Sequence, residues 1–369
     1  MRHAGVDHRA GAGRPRVPGP GRAEETLLDG TAIATGQERL GCIIRTLLDR
    51  HPDGPDVAVL DRASLLTPDH FSLFTGDCPS FGPADVPARA AARPRVAGTD
   101  TSLAAADPAD RWPHLDAAAG VDWPATAASA ARFGPALERA FALLDEVQPH
   151  VAARLRATVR VVVTFAGDGP NSFATLSAHG AVFLNRRPGD DLAYAVEELA
   201  HQGGHVLLTT MLFGAEHDCF VVPPEAPLVV DGAGDPEGRT VLVTLHAVYT
   251  EALMTGCLWG ALQAPGVSAA ERHELRGRLG YILCRFRHDL IDLLSADVLS
   301  ARGRRLADGC RRVYDTAVGR WAPTAPRLDL SGQPYAFDRR VFLRRNPTPP
   351  SPSTTPSPPA DGGRPPVLR

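Results

Sequence analysis

Residues 190–211 read DDLAYAVEELAHQGGHVLLTTM, and this stretch decides the fold that the sequence predicts. Its apolar residues recur every three or four positions, which is typical of the buried face of an α-helix. His201 and His205 are four residues apart, so one helix face carries both imidazoles within reach of a single metal ion. Gly203 and Gly204 each cost about 1 kcal/mol relative to alanine inside a helix. We therefore expect a neighbouring segment to approach the backbone closely there.

Two carboxylates precede this histidine pair by about one helical turn. Glu197 and Glu198 could orient a ligating imidazole or act as ligands themselves. A competing interpretation places at least one of them on a solvated edge of the helix. Histidines at this spacing also occur on ordinary core helices, so the pair alone leaves metal binding open.

Strand-forming segments lie directly before the predicted helix. Residues 159–165 (VRVVVTF) predict a buried strand, and residues 174–184 predict a second strand or a hairpin. The fold class expected from this order is α+β and mostly helical, with the helix packed against a small sheet. The order of strands and H-x-x-x-H helix resembles that of zincin metallopeptidases, which implies a zincin-like metal helix with the strand at residues 174–184 along the active cleft.

Helical periodicity dominates the rest of the chain. Pro149 is expected to split residues 125–158 into two helices, and Ser268 with Glu271 predicts a capping box. The helical segments are predicted at residues 38–50, 125–158, 240–263, 268–300 and 303–320. Residues 79–124 show little periodicity and are expected to form loops and short helices.

The two ends of the sequence differ in composition from the middle. Residues 1–23 are rich in Gly, Pro and Arg, and residues 346–369 in Pro, Ser and Thr; both are expected to be disordered tails. Residues 24–345 are predicted to form a single catalytic-like domain, with the metal-site half at about residues 125–320.

Composition excludes several classes of protein. A net charge of −3 and a pI near 6.5 give no electrostatic case for binding nucleic acid or an anionic membrane. No run approaches the roughly 18 apolar residues of a membrane-spanning helix. The six cysteines include no C-x-x-C pair, which favours free thiols and a cytoplasmic location. Cys257 and Cys284 lie in apolar helical runs and are expected to be buried.

The helix at residues 190–211 resembles the H-E-x-x-H motif of zincin metallopeptidases, with Gln202 in place of the glutamate. In zincins that glutamate is the general base that activates metal-bound water. A glutamine amide accepts no proton at ordinary pH. The resemblance therefore implies metal binding without the hydrolytic base, and a zinc metallopeptidase is kept only as an alternative.

Three further segments carry a second resemblance. They are LTPDHFSLFTGD (residues 66–77), AFALLDEVQPHVAARLRATVRVVV (residues 140–163) and LVTLHAVYTEALM (residues 242–254). Their order around H-x-x-x-H is similar to that in the HExxH-motif peptide-modification family of ribosomal-peptide biosynthesis. The similarity covers about residues 65–294, with residues 79–124 poorly matched.

Members of that family are implicated as iron(II)- and 2-oxoglutarate-dependent hydroxylases acting on the β-carbon of precursor-peptide residues. The resemblance implies that His201, His205 and His246 bind iron(II), with zinc as the alternative metal. Iron and O2 supply the oxidising chemistry, so the departure at Gln202 is easier to reconcile with oxidation than with hydrolysis. Gln202 remains a candidate catalytic residue, because a side chain at that position can orient the co-substrate or a water.

The third ligand has a rival on the same helix. Glu251 would complete the two-His, one-carboxylate triad typical of non-haem iron. Five residues separate it from His246, which places the two about 140° apart. Only one of them is then expected to face the metal easily. We expect the His246 imidazole to lie within about 5 Å of the ring nitrogens of His201 and His205.

The remaining candidates would serve the co-substrate or the substrate. Tyr249 is either a core residue or a hydrogen-bond donor in the pocket. Arg285, or Arg287, could bind the distal carboxylate of 2-oxoglutarate, because guanidinium binds carboxylate bidentately. The alternative for Arg285 is an ion pair with Asp289 one turn away. A metal-free scaffold that binds a precursor peptide is the third function that the sequence leaves open.

Overall fold

The computed structural model describes residues 27–48, 93, 95–105, 123–167, 171–187, 189, 191–230, 232–234, 238–321 and 327–347. Within these ranges the helices are α1 Gly30–Leu48, α2 Trp123–Val147, α3 Pro149–Thr158, α4 Leu192–Leu212, α5 Val241–Gln263, α6 Ala269–Ser295, α7 Ala301–Trp321 and α8 Arg339–Arg345. The strands are β1 Ser102–Ala105, β2 Val161–Phe165, β3 Phe173–Ala174, β4 Ala181–Asn185, β5 Val229–Val230 and β6 Ala233–Gly234. The segment at residues 66–77 and nearly all of the two predicted tails lie outside the described residues.

The architecture is α+β, as expected: most described residues are helical, and a small mixed sheet packs against the helices. Its four strands follow the order β1-β2-β4-β3. β1, β2 and β4 are parallel, whereas β3 pairs antiparallel with β4. The strand predicted at residues 159–165 is therefore confirmed, and residues 174–184 contribute to the hairpin that was one of the two predictions for that segment.

One strand contradicts the sequence prediction. Residues 102–105 form β1, although residues 79–124 were expected to contain loops and short helices. The sequence Ser-Leu-Ala-Ala has no β-branched or aromatic residue, so its intrinsic preference gives no strand signal. Parallel pairing with β2 defines this strand, and that partner is about 60 residues away.

Both faces of the sheet are covered by apolar side chains. Val162 and Val182 belong to the large helical core, whereas Val163 and Phe183 lie in a smaller cluster on the other face. Strands buried on both faces read as continuous apolar runs instead of alternating ones. This explains why β2 is apolar except for Thr164, whose buried hydroxyl donates to the carbonyl oxygen of Ala104.

The helix α4 forms the centre of the core and packs against α1, α2, α3 and α5. Gly203 and Gly204 lie where α4 comes very close to its neighbouring helices. A Cβ at Gly203 would lie 2.5 Å from Leu155 of α3, and a Cβ at Gly204 would lie 3.1 Å from Leu253 and Thr250 of α5. The expected close approach of a neighbouring segment is confirmed, with one neighbour on each side.

The predicted helix boundaries are largely confirmed. Pro149 begins α3 directly after α2, and Ser268 and Glu271 form the reciprocal hydrogen bonds of a capping box at the start of α6. The short helix α8 has no counterpart in the sequence prediction. Its Asp338 cap accepts hydrogen bonds from the backbone amides of Arg340 and Val341.

The helix α5 is long and apolar enough to cross a membrane by length and composition. However, 72% of its most apolar window is buried inside the protein, between α4, α6 and α7. Such burial is consistent with the core helix of a soluble protein. The apolar residues on every side of α5 reflect its neighbours on every side.

The five cysteines that the structure describes are free thiols. Cys257 is buried, as expected, but Cys284 is exposed, so the prediction for Cys284 is wrong. The run around Cys284 is apolar on one face only, and Cys284 lies on the other face of α6.

The contact at Gly204 gives a first testable prediction. Gly204→Val should lower the free energy of unfolding by about 1–3 kcal/mol, because two extra methyl groups must fit between α4 and α5. Gly319 is an exposed helical glycine with open space around its Cα. The matched variant Gly319→Val should be neutral or slightly stabilising. Urea denaturation of both variants measures the difference, and equal stability would contradict the tight contact.

Candidate functional site

A cleft of about 940 Å3 opens beside α4, α5 and α6. The segment leading into α8 forms a further part of its wall. Phe173 and Ala174 of β3 and Asn185 of β4 line its border. The sequence predicted a cleft bordered by the strand at residues 174–184, and of that range Ala174 lines the cleft.

Three histidines from two helices line this cleft. The ring centroids of His201 and His205 are 5.2 Å apart, and those of His205 and His246 are 5.4 Å apart. The Nδ1 atoms of His205 and His246 are separated by 3.1 Å. Two nitrogens bound side by side to one metal at 2.0–2.1 Å are about 3 Å apart. The structure thus brings His246 into hydrogen-bonding contact with His205, and the same distance suits two ligands of one ion.

Burial keeps these imidazoles neutral. Desolvation lowers the pKa of His201 to about 4, with a smaller contribution from the positive charge of Arg285. Desolvation also lowers the pKa values of His205 and His246 to about 3, and each ring disfavours a charge on its neighbour. The neutral imidazole is the form that binds a metal.

The side chain of Gln202 contacts His201, one of the three histidines. Its Nε2 atom donates to Oε2 of Glu198 over 3.1 Å and lies 3.0 Å from Nδ1 of His201. When the amide donates to Nδ1, the proton of the neutral His201 ring is on Nε2. Nε2 of His201 can then bind a metal only after the ring changes its tautomer or the contact with Gln202 breaks.

The imidazole side chains in the cleft are chemically suited to bind a metal ion, but their arrangement fits a metal site only partly. Imidazole suits iron and zinc equally well, and the spacing of His205 and His246 suits two ligands. In the described part of the chain, however, no group of three or more His, Cys, Asp or Glu side chains is arranged to hold a metal ion. The contact of Gln202 with His201 is the feature that a bound metal would have to displace.

Glu197 and Glu198 are both buried, with 5% and 7% of their surface exposed. The interpretation that placed one of them on a solvated helix edge is therefore wrong. Glu197 accepts a hydrogen bond of 3.0 Å from the buried Arg278 of α6, and Arg278 also donates to Glu274 over 2.9 Å. Glu274 in turn accepts from Arg339 of α8. This chain of ion pairs connects α4, α6 and α8 along the cleft.

Tyr249 lies away from the cleft. It is fully buried, and its hydroxyl donates a 2.7 Å hydrogen bond to the carbonyl oxygen of Leu27. Burial raises its pKa above the ordinary value. Of the two roles considered for Tyr249, the structure places it in the core and does not bring it to the histidines.

Arg285 lies in the cleft wall near the histidines. Its Nη1 atom donates to the carbonyl oxygen of Tyr335 over 2.9 Å, and its guanidinium lies 4.2 Å from the centre of the Tyr335 ring. Asp289, the alternative partner, instead accepts a 2.9 Å hydrogen bond from Arg239. Arg287 is exposed and is not part of the cleft wall.

Glu251 lines the same cleft as His246. Both side chains lie in the cleft wall, which follows α5 from Leu242 to Met254 and covers about half of the helix circumference. Whether only one of them faces a bound metal stays a prediction. Glu251 is 2% exposed, and neither carboxylate oxygen has a hydrogen-bond partner among the described residues.

Sequence reasoning missed three arginines of the cleft wall, Arg239, Arg278 and Arg339, and the buried Glu274 that pairs with two of them. Glu274 and Arg278 are one helical turn apart, and this spacing could have indicated an ion pair. Arg239 precedes α5 in a loop, and Arg339 lies in the unpredicted α8. The sequence pattern therefore did not indicate that either residue belongs to the cleft wall. Their positions depend on partners at least 50 residues away in the sequence.

No protein-family model matches the sequence, and a comparison with curated proteins finds no significant match.

The buried ion pairs give a second testable prediction. Arg278→Met should lower the free energy of unfolding by about 3–5 kcal/mol, because Glu197 and Glu274 would both lose the buried cation that they share. Arg304→Met removes one partner of an exposed pair with Asp297 and should cost less than about 1 kcal/mol. Chemical denaturation of both variants tests the difference. A loss for Arg278→Met no larger than that for Arg304→Met would show that the network contributes little.

Proposed function

We propose that this protein is a non-haem iron(II)- and 2-oxoglutarate-dependent dioxygenase that hydroxylates a residue of a ribosomally made precursor peptide in the cytoplasm. The observation that carries the proposal is the 3.1 Å separation of Nδ1 of His205 and Nδ1 of His246 in a cleft that also contains Arg285. The family resemblance of the sequence supports the choice of reaction.

His201, His205 and His246 would hold the iron. Three neutral imidazoles leave positions open for other ligands, as a chelating co-substrate requires. Iron with O2, when bound, supplies the oxidising chemistry. The protein residues position the co-substrate and the peptide and limit access of water. All three rings line the cleft and are partly buried, which supports this role.

Arg285 is the proposed partner of the distal carboxylate of 2-oxoglutarate. It faces the cleft, and its positive charge reaches His201 strongly enough to lower the pKa of that histidine. Guanidinium binds carboxylates in a bidentate geometry. A volume of about 940 Å3 accommodates a small co-substrate together with part of a peptide.

The peptide is proposed to lie along β3. This strand is at the edge of the sheet order β1-β2-β4-β3 and lines the cleft. An extended peptide can add to such an edge through backbone hydrogen bonds. We propose that the sheet and α4 are arranged in a zincin-like way, with the substrate between the sheet edge and the histidines.

One observation favours the metal-free alternative. Gln202 already contacts His201, and the described residues contain no complete metal-binding group. A polar cleft without a metal would bind a precursor peptide for another enzyme. A zinc peptidase is disfavoured, because the Gln202 amide cannot act as the general base.

Metal analysis separates these functions and gives a third prediction. Protein purified without oxygen should contain about one iron per chain and convert 2-oxoglutarate to succinate. His246→Ala should lower the iron content at least about tenfold. His288→Ala, which changes an exposed histidine of α6, should leave it unchanged. Protein that binds neither iron nor zinc after reconstitution would support the metal-free scaffold instead.

A fourth prediction concerns the position that departs from the zincin motif. Gln202→Glu should not produce peptide hydrolysis in the zinc-loaded protein, because the proposed reaction needs no general base at that position. The measurement is release of fragments from unstructured peptides, followed by mass spectrometry, with wild-type protein as the matched control. Hydrolysis by Gln202→Glu alone would identify the chain as a degenerate peptidase.

A further inference from the structure

Two buried carboxyl groups, one of them in the cleft wall, have oxygens without hydrogen-bond partners among the described residues. Glu251 of α5 lies within hydrogen-bonding reach of Asp289 of α6. Both side chains are at least 90% buried. Neither oxygen of Glu251 has a hydrogen-bond partner among the described residues, and Oδ2 of Asp289 lacks one as well. Buried polar atoms in folded proteins almost always have partners.

A single proton accounts for two of these three oxygens. Two ionised carboxylates in contact repel each other, whereas a protonated carboxyl donates a hydrogen bond to an ionised one. One hydrogen bond between Glu251 and Asp289 then gives a partner to one oxygen of each group. The open question is which of the two carboxyls carries the proton.

The positions of two neighbouring arginines indicate which carboxyl group carries the proton. Asp289 accepts a 2.9 Å hydrogen bond from Nη1 of Arg239, which stabilises its negative charge. The cation nearest to Glu251 is Arg285, whose Nε atom is 3.7 Å from Oε1 of Glu251, too far for a hydrogen bond. The proton therefore belongs on Glu251.

The remaining neighbour is a buried thiol. Cys310 of α7 faces the pair, and burial raises its pKa so that it stays neutral. The charged and titratable groups around Glu251 are thus Arg239, Arg285, Asp289 and Cys310. In agreement with the geometry, burial followed by Asp289 raises the pKa of Glu251 well above its ordinary value, against the smaller opposing effects of Arg285 and Arg239.

We propose that Glu251 and Asp289 share one proton carried by Glu251, and that this neutral acid leaves the charge of Arg285 available to a carboxylate ligand in the cleft. An ionised Glu251 at 3.7 Å would neutralise Arg285. Glu251 is therefore a positioning residue that controls an anion subsite beside the histidines. The identity of the ligand as a carboxylate rests on the proposed function, whereas the shared proton does not.

Infrared spectroscopy tests the proton directly and gives a fifth prediction. At neutral pH the wild-type protein should show the carbonyl stretching band of a protonated carboxyl group, shifted in heavy water. Glu251→Gln should lose this band. Glu225→Gln, which changes an exposed glutamate, should retain it. Absence of the band in the wild type, or its persistence in Glu251→Gln, would overturn the proposal.

The subsite is tested with succinate by titration calorimetry. In the wild type, succinate affinity should fall about tenfold over the pH range in which the infrared band of Glu251 disappears, because the ionised carboxylate neutralises Arg285. In Glu251→Gln the affinity should not change with pH. Loss of succinate binding at every pH in Glu251→Gln would overturn the subsite.

A protein without iron that retains the infrared band would refute the proposed function alone. If Glu251→Gln does not fold, loss of the wild-type band at high pH is the decisive measurement.

Discussion

The close approach of α4 and α5 at Gly204 is the constraint on which the site depends. A single helix can present two imidazoles on one face, but the third must come from another element. The absence of a side chain at Gly204 lets Leu253 and Thr250 lie against the backbone of α4. As a result, His246 contacts His205 across the helix interface. The helical glycines are therefore part of the site although they carry no chemistry.

The cleft contains many ionisable groups, yet the fold keeps most of them either neutral or paired. The histidines are neutral because of burial, and Arg278 is compensated by two carboxylates. A buried charge without a partner costs several kcal/mol, so such pairing is required for the fold to be stable. Arg285 differs from Arg278 because its contacts within hydrogen-bonding distance are to a carbonyl oxygen and a ring, not to a carboxylate. This difference distinguishes a structural arginine from one that is suited to a ligand.

The features that the sequence predicted correctly are local in origin. The helix with His201 and His205, the break at Pro149 and the capping box at Ser268 each depend on residues within one or two turns. The features that it missed depend on distant partners. Glu197 looks like a surface residue until Arg278, 81 residues away, is placed beside it. In the same way, β1 has no strand preference of its own and forms because β2 is adjacent.

The segment before α8 has a consequence for the order in which the cleft is built. Tyr281 and Arg285 of α6 donate hydrogen bonds to the carbonyl oxygen of Tyr335, and Arg339 forms an ion pair with Glu274. This wall of the cleft is thus contributed by residues that leave the ribosome after all the histidines. During synthesis, the histidine helices can pack while the cleft is still open on one side. Access to the histidines is therefore widest in the nascent chain, and it narrows only when the segment before α8 docks onto α6.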